Sequence, residues 1–178
     1  MNEEELRDLM YTAQSKKQGP FSIRYPRTYA INTEWKTPFK LLEIGKGRLL
    51  KEGVDMAIIS IGFPGNLALK AIEELEKLNY SVALYDMRFL KPIDEELLHK
   101  AFSKHRKIIT IEDGTILGGL GTAVIEFMNQ HGYQAEVVRL GVPDHFIEHG
   151  CLNELYEECG FDEKSIFEAG RKLIENKP

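Results

Sequence analysis

From residue 39 onward, two kinds of hydrophobic pattern alternate along the chain. Short apolar runs rich in β-branched residues predict buried strands, and segments whose apolar residues recur every three or four positions predict helices. Alternation with short loops predicts a three-layer α/β/α domain with a mostly parallel sheet and right-handed crossovers. We expect strands at 40–44, 48–51, 56–61, 81–85, 108–111 and 136–140, and helices at about 66–78, 93–104, around 123–128, 151–159 and 163–175.

The stretch from Lys107 to Met128 shows this pattern most clearly. An apolar run at 108–111 ends at Glu112-Asp113-Gly114, and the loop residues Gly118-Gly119-Leu120-Gly121 precede a helical pattern. A strand that is apolar on both faces belongs in a sheet covered on both sides. The glycines allow a tight turn and a helix that begins close to the sheet. The polar residues fall at the carboxyl end of the strand, where open α/β sheets meet ligands or partners.

The N-terminal piece is organised differently. Residues 2–16 have helical spacing, with Leu6, Leu9 and Met10 on one face, and the alternation at 21–25 predicts a strand that ends at Pro26. One helix and one strand bury too little to form a core alone, so we expect this piece to be the end of a larger domain and Met1 not to be the natural start. In a free domain the apolar helix face would be exposed.

Composition excludes several classes of protein. The chain is 43% hydrophobic and 29% charged, which is ordinary globular composition, and its net charge of -5 without a basic run argues against nucleic acid as a partner. No apolar stretch is long enough to span a membrane, and the N-terminus does not have the pattern of a signal peptide. Cys151 and Cys159 lack metal-ligand spacing and are expected to be free thiols in a reducing cytoplasm.

Two segments, one rich in glycine and one with two arginines, have the composition of anion-binding sites. The loop with Gly118, Gly119 and Gly121 fits either an anion at a helix N-terminus or close helix–sheet packing, and its spacing departs from the dinucleotide fingerprint. Arg24 and Arg27 flank Tyr25-Pro26, and guanidinium groups beside a rigid turn suit a phosphate or carboxylate. Ordinary salt bridges are the alternative for both arginines.

Two further groups of polar residues follow strands. His145 and His149 would share a face on a helix and could hold zinc, but Pro143 and Gly150 argue against a helix, so a polar contact loop is the favoured interpretation. Asp86, Arg88, Lys91 and Asp94 crowd one loop, and Glu112 and Asp113 end another strand. An arginine–carboxylate network that ties strand ends together explains them without catalysis.

Five motifs occur in an order that resembles a known family. They are GPFSIRYPR at 19–27, IGKGRLLKEG at 44–53, DMRFLKPIDEELL at 86–98, IEDGTILGGLGTAV at 111–124 and LGVPDHFIEHG at 140–150. Together they resemble the C-terminal part of the 1-deoxy-D-xylulose-5-phosphate synthase family, thiamine-diphosphate enzymes of the transketolase superfamily. The resemblance covers essentially the whole chain.

The resemblance implies a division of the chain into domains. Residues 1–27 correspond to the end of the second, pyrimidine-binding domain, residues 28–38 to a linker, and residues 39–178 to a transketolase-type C-terminal domain. The complete enzyme of this family is a homodimer that condenses pyruvate, with decarboxylation, and glyceraldehyde 3-phosphate. The reaction supplies non-mevalonate isoprenoid and thiamine biosynthesis.

Thiamine diphosphate and Mg²⁺ bind in parts of the family that this chain lacks. The string Glu112-Asp113-Gly114-Thr115 does not match the family's metal motif, so no catalytic, cofactor-binding or metal residue is expected here. The resemblance therefore implies that the fragment supports domain assembly and dimerisation and is inactive alone.

One functional residue carries over from the family. The second arginine of the R-Y-P-R motif grips the phosphate of glyceraldehyde 3-phosphate, and it matches Arg27. This sequence departs from the family at Thr28, where glycine is usual, and at Glu112-Asp113-Gly114, where Glu-Glu-Asn is usual. Two alternatives stay open: the end of another thiamine-diphosphate enzyme, such as a 2-oxoacid dehydrogenase β-type subunit, and a non-catalytic assembly module.

Overall fold

A five-stranded sheet forms the centre of the computed structural model, which describes residues 1–15, 19–26 and 36–176. In chain order the strands are β1 (Arg48–Lys51), β2 (Met56–Ile61), β3 (Val82–Asp86), β4 (Lys107–Thr115) and β5 (Glu136–Val142). The order across the sheet is β1-β3-β2-β4-β5. The pairs β2–β3, β2–β4 and β4–β5 are parallel, and β1 pairs antiparallel with β3 at one edge. The predicted mostly parallel sheet is confirmed.

Helices precede, connect and follow the strands, and helices cover both faces of the sheet. They are α1 (Glu3–Ala13), α2 (Pro64–Lys77), α3 (Glu95–Lys104), α4 (Leu120–Gln130), α5 (Leu152–Glu158) and α6 (Glu163–Glu175). No helix in the described ranges is long and apolar enough to cross a membrane. Cys151 and Cys159 are free.

Alternate residues of the central strands pack into two separate cores. On one face, Ile58 and Ile109 pack with Leu75 of α2 and with the C-terminal segment that holds Phe161. On the other face, Ile59 and neighbouring strand residues pack with α3 and α4. Because β2, β3 and the first part of β4 bury both faces, their sequences are mostly apolar rather than alternating. The predicted three layers are therefore present.

The two segments predicted as strands before β1 are not strands. In residues 40–44, the backbone N–H of Lys40 donates to Asp8 Oδ1 at 3.2 Å and that of Leu42 donates to Thr12 Oγ1 at 2.9 Å. Side chains of α1 thus take the hydrogen bonds that a neighbouring strand would take. Residues 21–25 pair with no strand in the described ranges, so the expected helix–strand remnant is a helix followed by an irregular segment.

The bounds of several predicted elements differ from those in the structure, and two of the differences have local reasons. The apolar run predicts that β4 ends at residue 111, but the strand continues to Thr115 with a register shift against β5 between Ile111 and Thr115. The polar residues of this strand end are therefore held by the sheet. Helix α2 begins at Pro64, two residues earlier than its apolar spacing predicts, because proline is compatible with a first helical turn.

Candidate functional site

Helix α1 lies against the rest of the chain with its polar side. Glu5, Asp8 and Thr12 are buried, at 6%, 4% and 2% exposure, although they are the polar positions of the helix. On the predicted apolar side Met10 is 53% exposed and Leu6 and Leu9 are half-buried, and the neighbouring Tyr11 is 42% exposed. The apolar side predicted from the helical spacing is thus the more open one, and polar contacts hold the helix in place.

An ionic cluster connects α1 to the carboxyl end of β3. Oε1 of Glu5 accepts from Arg88 Nε at 2.6 Å and lies 3.0 Å from Arg48 Nη2. Arg48 also contacts Oδ2 of Asp86, with Nη2 at 2.9 Å. Arg48 is the first residue of β1 and Asp86 the last of β3, and the antiparallel register places them opposite each other. The amino group of Met1 donates to Oε2 of Glu5 at 2.6 Å, so two carboxylates face two guanidinium groups and one amino group.

The pKa values of the two carboxyl groups in this cluster are shifted in opposite directions, although burial acts to raise both. Burial acts to raise the pKa of Glu5, but the amino group of Met1 and the guanidinium groups of Arg48 and Arg88 outweigh it, so this pKa lies below its usual value. Burial, together with the nearby charge of Glu5, raises the pKa of Asp86 despite the attraction of Arg48. Asp86 is fully buried, and its contact with Arg48 favours the ionised form of the carboxyl group.

The strand-end network predicted from the loop residues has different partners in the structure. Arg88 pairs with Glu5 of α1. Asp94 caps α3 by accepting from the N–H of Leu97 at 3.0 Å and also accepts from the N–H of Gly47 at 2.9 Å. These side chains therefore connect the loop after β3 to earlier parts of the chain rather than to β4.

The glycine loop surrounds a carboxylate of the chain itself. Glu112, which is 6% exposed, accepts from the backbone N–H of Leu120 at 2.8 Å and of Gly121 at 2.9 Å. A Cβ at Gly119 would overlap this carboxylate. The N–H of Gly118 donates to Thr122 Oγ1 at 3.0 Å. The carboxylate of Glu112 on β4 is thus hydrogen-bonded to the N-terminus of α4, where the positive end of the helix dipole favours a negative charge.

The segment before the predicted phosphate arginine lies at the carboxyl end of the sheet. Arg24 Nη2 is 3.3 Å from Asp113 Oδ1 on β4. The ring of Phe21 meets the ring of Phe89 edge-on, with centroids 6.3 Å apart. Arg27 itself lies outside the described residues.

In the described part of the chain, the remaining candidate residues are not arranged as a metal site. His145 and His149 are exposed in the loop after β5. Among the described residues, no group of three or more His, Cys, Asp and Glu side chains is arranged to hold a metal ion.

The roles of three residues were not predicted from the sequence: Glu5, Arg48 and Glu112. The polar residues of α1 recur at positions 5, 8 and 12, which is a helical stripe as regular as the apolar one. For Glu112, the signal is an acid at the end of an apolar strand that is followed by a glycine-rich helix start. Arg48 carries no comparable signal, because only strand pairing places it beside Asp86.

The parallel sheet with one antiparallel edge strand, covered on both faces, is the fold that the resemblance to a transketolase-type C-terminal domain implies. Residues 45–166 match the family model described as "Transketolase, C-terminal domain". The chain belongs to this family.

Curated relatives match nearly the whole chain. The 1-deoxy-D-xylulose-5-phosphate synthase of Cytophaga hutchinsonii is 55% identical over 174 residues, which cover 97% of this chain and 27% of the relative. The synthase of Azobacteroides pseudotrichonymphae is 56% identical over 178 residues, which cover 99% of this chain and 28% of the relative. The chain therefore spans little more than a quarter of the length of these relatives and corresponds to their C-terminal part.

Solved structures agree with the fold. A chain described as "Split gene transketolase, inactive beta4 tetramer" is 34% identical to this chain. The two superpose with a TM-score of 0.72, over 78% of this chain and 45% of that chain. The transketolase of Campylobacter jejuni is similar at a TM-score of 0.54 and 17% identity, over 72% of this chain and 18% of that chain. The second likeness concerns the fold alone.

Proposed function

We propose that this chain is the C-terminal part of a 1-deoxy-D-xylulose-5-phosphate synthase. The observation that carries the proposal is the identity of about 55% to such synthases along 97% of the chain. The complete enzyme would be a cytoplasmic transferase that condenses pyruvate with glyceraldehyde 3-phosphate for isoprenoid and thiamine biosynthesis. Thiamine diphosphate and Mg²⁺ would bind to its other domains, and the only residue of this chain proposed to contact a substrate is Arg27.

The geometry of α1 supports a role in domain assembly. The helix uses its polar side to contact the C-terminal domain and leaves Met10 and Tyr11 half exposed. Phe39 stacks on Tyr11 and is itself 61% exposed, and Leu41 beside it is 65% exposed. Exposed apolar residues grouped in this way are typical of a surface that another part of the protein covers. We assign this surface to the remainder of the second domain, and we propose that the complete protein is a homodimer.

The chain alone should have no synthase activity, because the proposed cofactor-binding domains are missing. The similar split-gene transketolase is described as an inactive tetramer, which supports this expectation by analogy. The measurement is product formation from pyruvate and glyceraldehyde 3-phosphate by this chain and by the complete gene product. Activity of the isolated chain, or a native gene product of only 20.4 kDa, would contradict the proposal.

Replacing Arg27 by alanine in the complete enzyme tests the substrate assignment. We expect the KM for glyceraldehyde 3-phosphate to rise at least about tenfold, because charge-assisted hydrogen bonds to the phosphate are lost. The KM for pyruvate should change less than about twofold, since pyruvate has no phosphate group. Equal effects on both substrates would favour an enzyme whose acceptor has no phosphate, such as an oxoacid dehydrogenase.

A further inference from the structure

A strained turn follows β3 at the point where α1 and the segment 19–26 both meet the C-terminal domain. Arg88 has a φ of 53°, in the left-handed region that residues other than glycine rarely adopt. The backbone N–H of Phe89 donates across it to the carbonyl oxygen of Met87, which makes a three-residue turn of the strained kind. Such strain persists only where surrounding contacts hold it, so the contacts of this turn indicate what it does.

Different parts of the N-terminal piece hold the two residues of this turn. The side chain of Arg88 is 19% exposed, and its Nε donates to Oε1 of Glu5 in α1 at 2.6 Å. The next residue, Phe89, is 7% exposed and meets the ring of Phe21 edge-on. The N–H of Arg88 also donates to Oδ1 of the buried Asp86 at 3.3 Å, which fixes the turn to β3. Consecutive residues of one turn therefore contact α1 and the segment 19–26.

The backbone conformation of Arg88 decides where both side chains point. Relaxation to a negative φ would direct the guanidinium group away from Glu5 and would also redirect the chain that carries Phe89. The ion pair with Glu5 thus stabilises the conformation in which Phe89 contacts Phe21, and the ring contact stabilises the conformation in which Arg88 reaches Glu5. Two contacts that require the same strained backbone state favour each other.

We propose that the turn at Arg88 couples the docking of α1 to the docking of the segment 19–26, so that both attach to the C-terminal domain as one unit. Ion pairs and hydrogen bonds of Glu5, Asp8 and Thr12 hold α1 in place, and an interface of this polar kind separates more readily than a large apolar one. The coupling concerns contacts within this chain, so it does not depend on the proposed function.

Two rates measured on this chain test the coupling. The N–H of Leu42 donates to Oγ1 of Thr12 at 2.9 Å, so its hydrogen exchange reports how often α1 is released. Chymotrypsin must take the ring of Phe21 out of its contact with Phe89 before it can cleave the following peptide bond, so this cleavage reports release of the segment 19–26. Both rates are proportional to the population of the released form when release is rapid and reversible.

Glu5→Gln should raise both rates by a similar factor, about tenfold, because the charge that holds Arg88 in place is lost. Glu4→Gln is the matched control, since Glu4 pairs at 3.5 Å with Lys40, whose side chain is 66% exposed. This control should change both rates less than about twofold. In both variants, amides of β2 and β4 should exchange at least about a hundredfold more slowly than that of Leu42, as expected for local release.

Two further variants show whether the turn itself carries the coupling. Phe89→Leu removes the ring contact and should raise exchange at Leu42 severalfold, because coupling between two sites is reciprocal. Arg88→Gly removes the guanidinium group but adopts a positive φ without strain. In the Arg88→Gly background, Glu5→Gln should still speed exchange at Leu42, because the contact with Arg48 is weakened, but it should no longer change the chymotrypsin cleavage.

Three results would overturn the proposal. If Glu5→Gln raises exchange at Leu42 but leaves cleavage after Phe21 unchanged, α1 and the segment 19–26 dock independently. If the coupling persists in the Arg88→Gly background, it runs through the chain that connects α1 to the segment and not through the turn. Equal exchange rates at Leu42 and in the core strands would mean that α1 is released only by global unfolding. The synthase assignment stands or fails separately from all three.

Discussion

Replacing Arg48 by methionine is expected to lower the free energy of unfolding of this chain by about 3–5 kcal/mol, because it leaves a buried carboxylate without its partner. Asp86 is fully buried, and its pKa is already raised by burial and by Glu5. Methionine fills similar space but offers neither charge nor hydrogen-bond donors. Urea-induced unfolding, followed by circular dichroism, measures the effect.

The same strand offers a matched control for this substitution. Lys51 pairs with Glu76 at 2.9 Å, but both side chains are more than a third exposed. Lys51→Met should therefore cost less than about 1 kcal/mol, as is usual for surface ion pairs. In the double variant Arg48→Met with Asp86→Leu, no unpaired charge of Asp86 remains, so at least half of the lost stability should return. If Arg48→Met costs no more than Lys51→Met, the cluster is not a buried electrostatic unit.

Replacing Glu112 by alanine is expected to cost about 3–5 kcal/mol, since the buried N–H groups of Leu120 and Gly121 lose their acceptor. The helix also loses a negative charge at its N-terminus, which adds to the effect. Glu112→Gln should be intermediate, because the amide oxygen can accept from one N–H group while the amide nitrogen faces the other. Chemical denaturation gives the size of the loss, and hydrogen exchange at Leu120 and Gly121 locates it.

Glu126, an exposed residue of α4, provides the control for the carboxylate. Glu126→Ala removes the same group from the same helix without leaving a buried donor, so the change should stay within about 0.5 kcal/mol. A Glu112→Ala variant as stable as the Glu126→Ala variant would show that the carboxylate does not hold the start of α4. In that case the loop with Gly118, Gly119 and Gly121 would again be a candidate binding site for an external anion.

Contacts along the carboxyl end of the sheet connect the first 26 residues to the C-terminal domain. Glu5 meets the arginines beside β3, Phe21 meets Phe89, and Arg24 meets Asp113 on β4. This is the edge where open α/β sheets bind ligands. Here segments of the same chain occupy part of that edge, which agrees with the proposed role of the domain in assembly.

Hydrophobic patterns in the sequence predict the layers of this protein and the edge of the sheet at which its polar residues gather. Continuous β-branched runs such as 56–61 and 108–111 are stable only when both faces of the strand are buried, and the helical spacing of the segments between them supplies the cover. These patterns are local properties of the chain, so they can be recognised without knowing which distant residues they will contact in the folded protein. The motif order also pointed to the synthase family, which agrees with the relatives that match along almost the whole chain.

The partners of the polar residues depend on how the chain folds and could not be predicted from its sequence. Residues 40–44 have the pattern of a strand, but their N–H groups bond to Asp8 and Thr12, which are about thirty residues away in the chain. Arg48 and Asp86 meet because β1 pairs antiparallel with β3, and Glu112 reaches the start of α4 because the sheet carries β4 as far as Thr115. Hydrogen bonds and ion pairs between distant residues depend on strand order and register, and hydrophobic periodicity contains no information about which polar groups those will bring together.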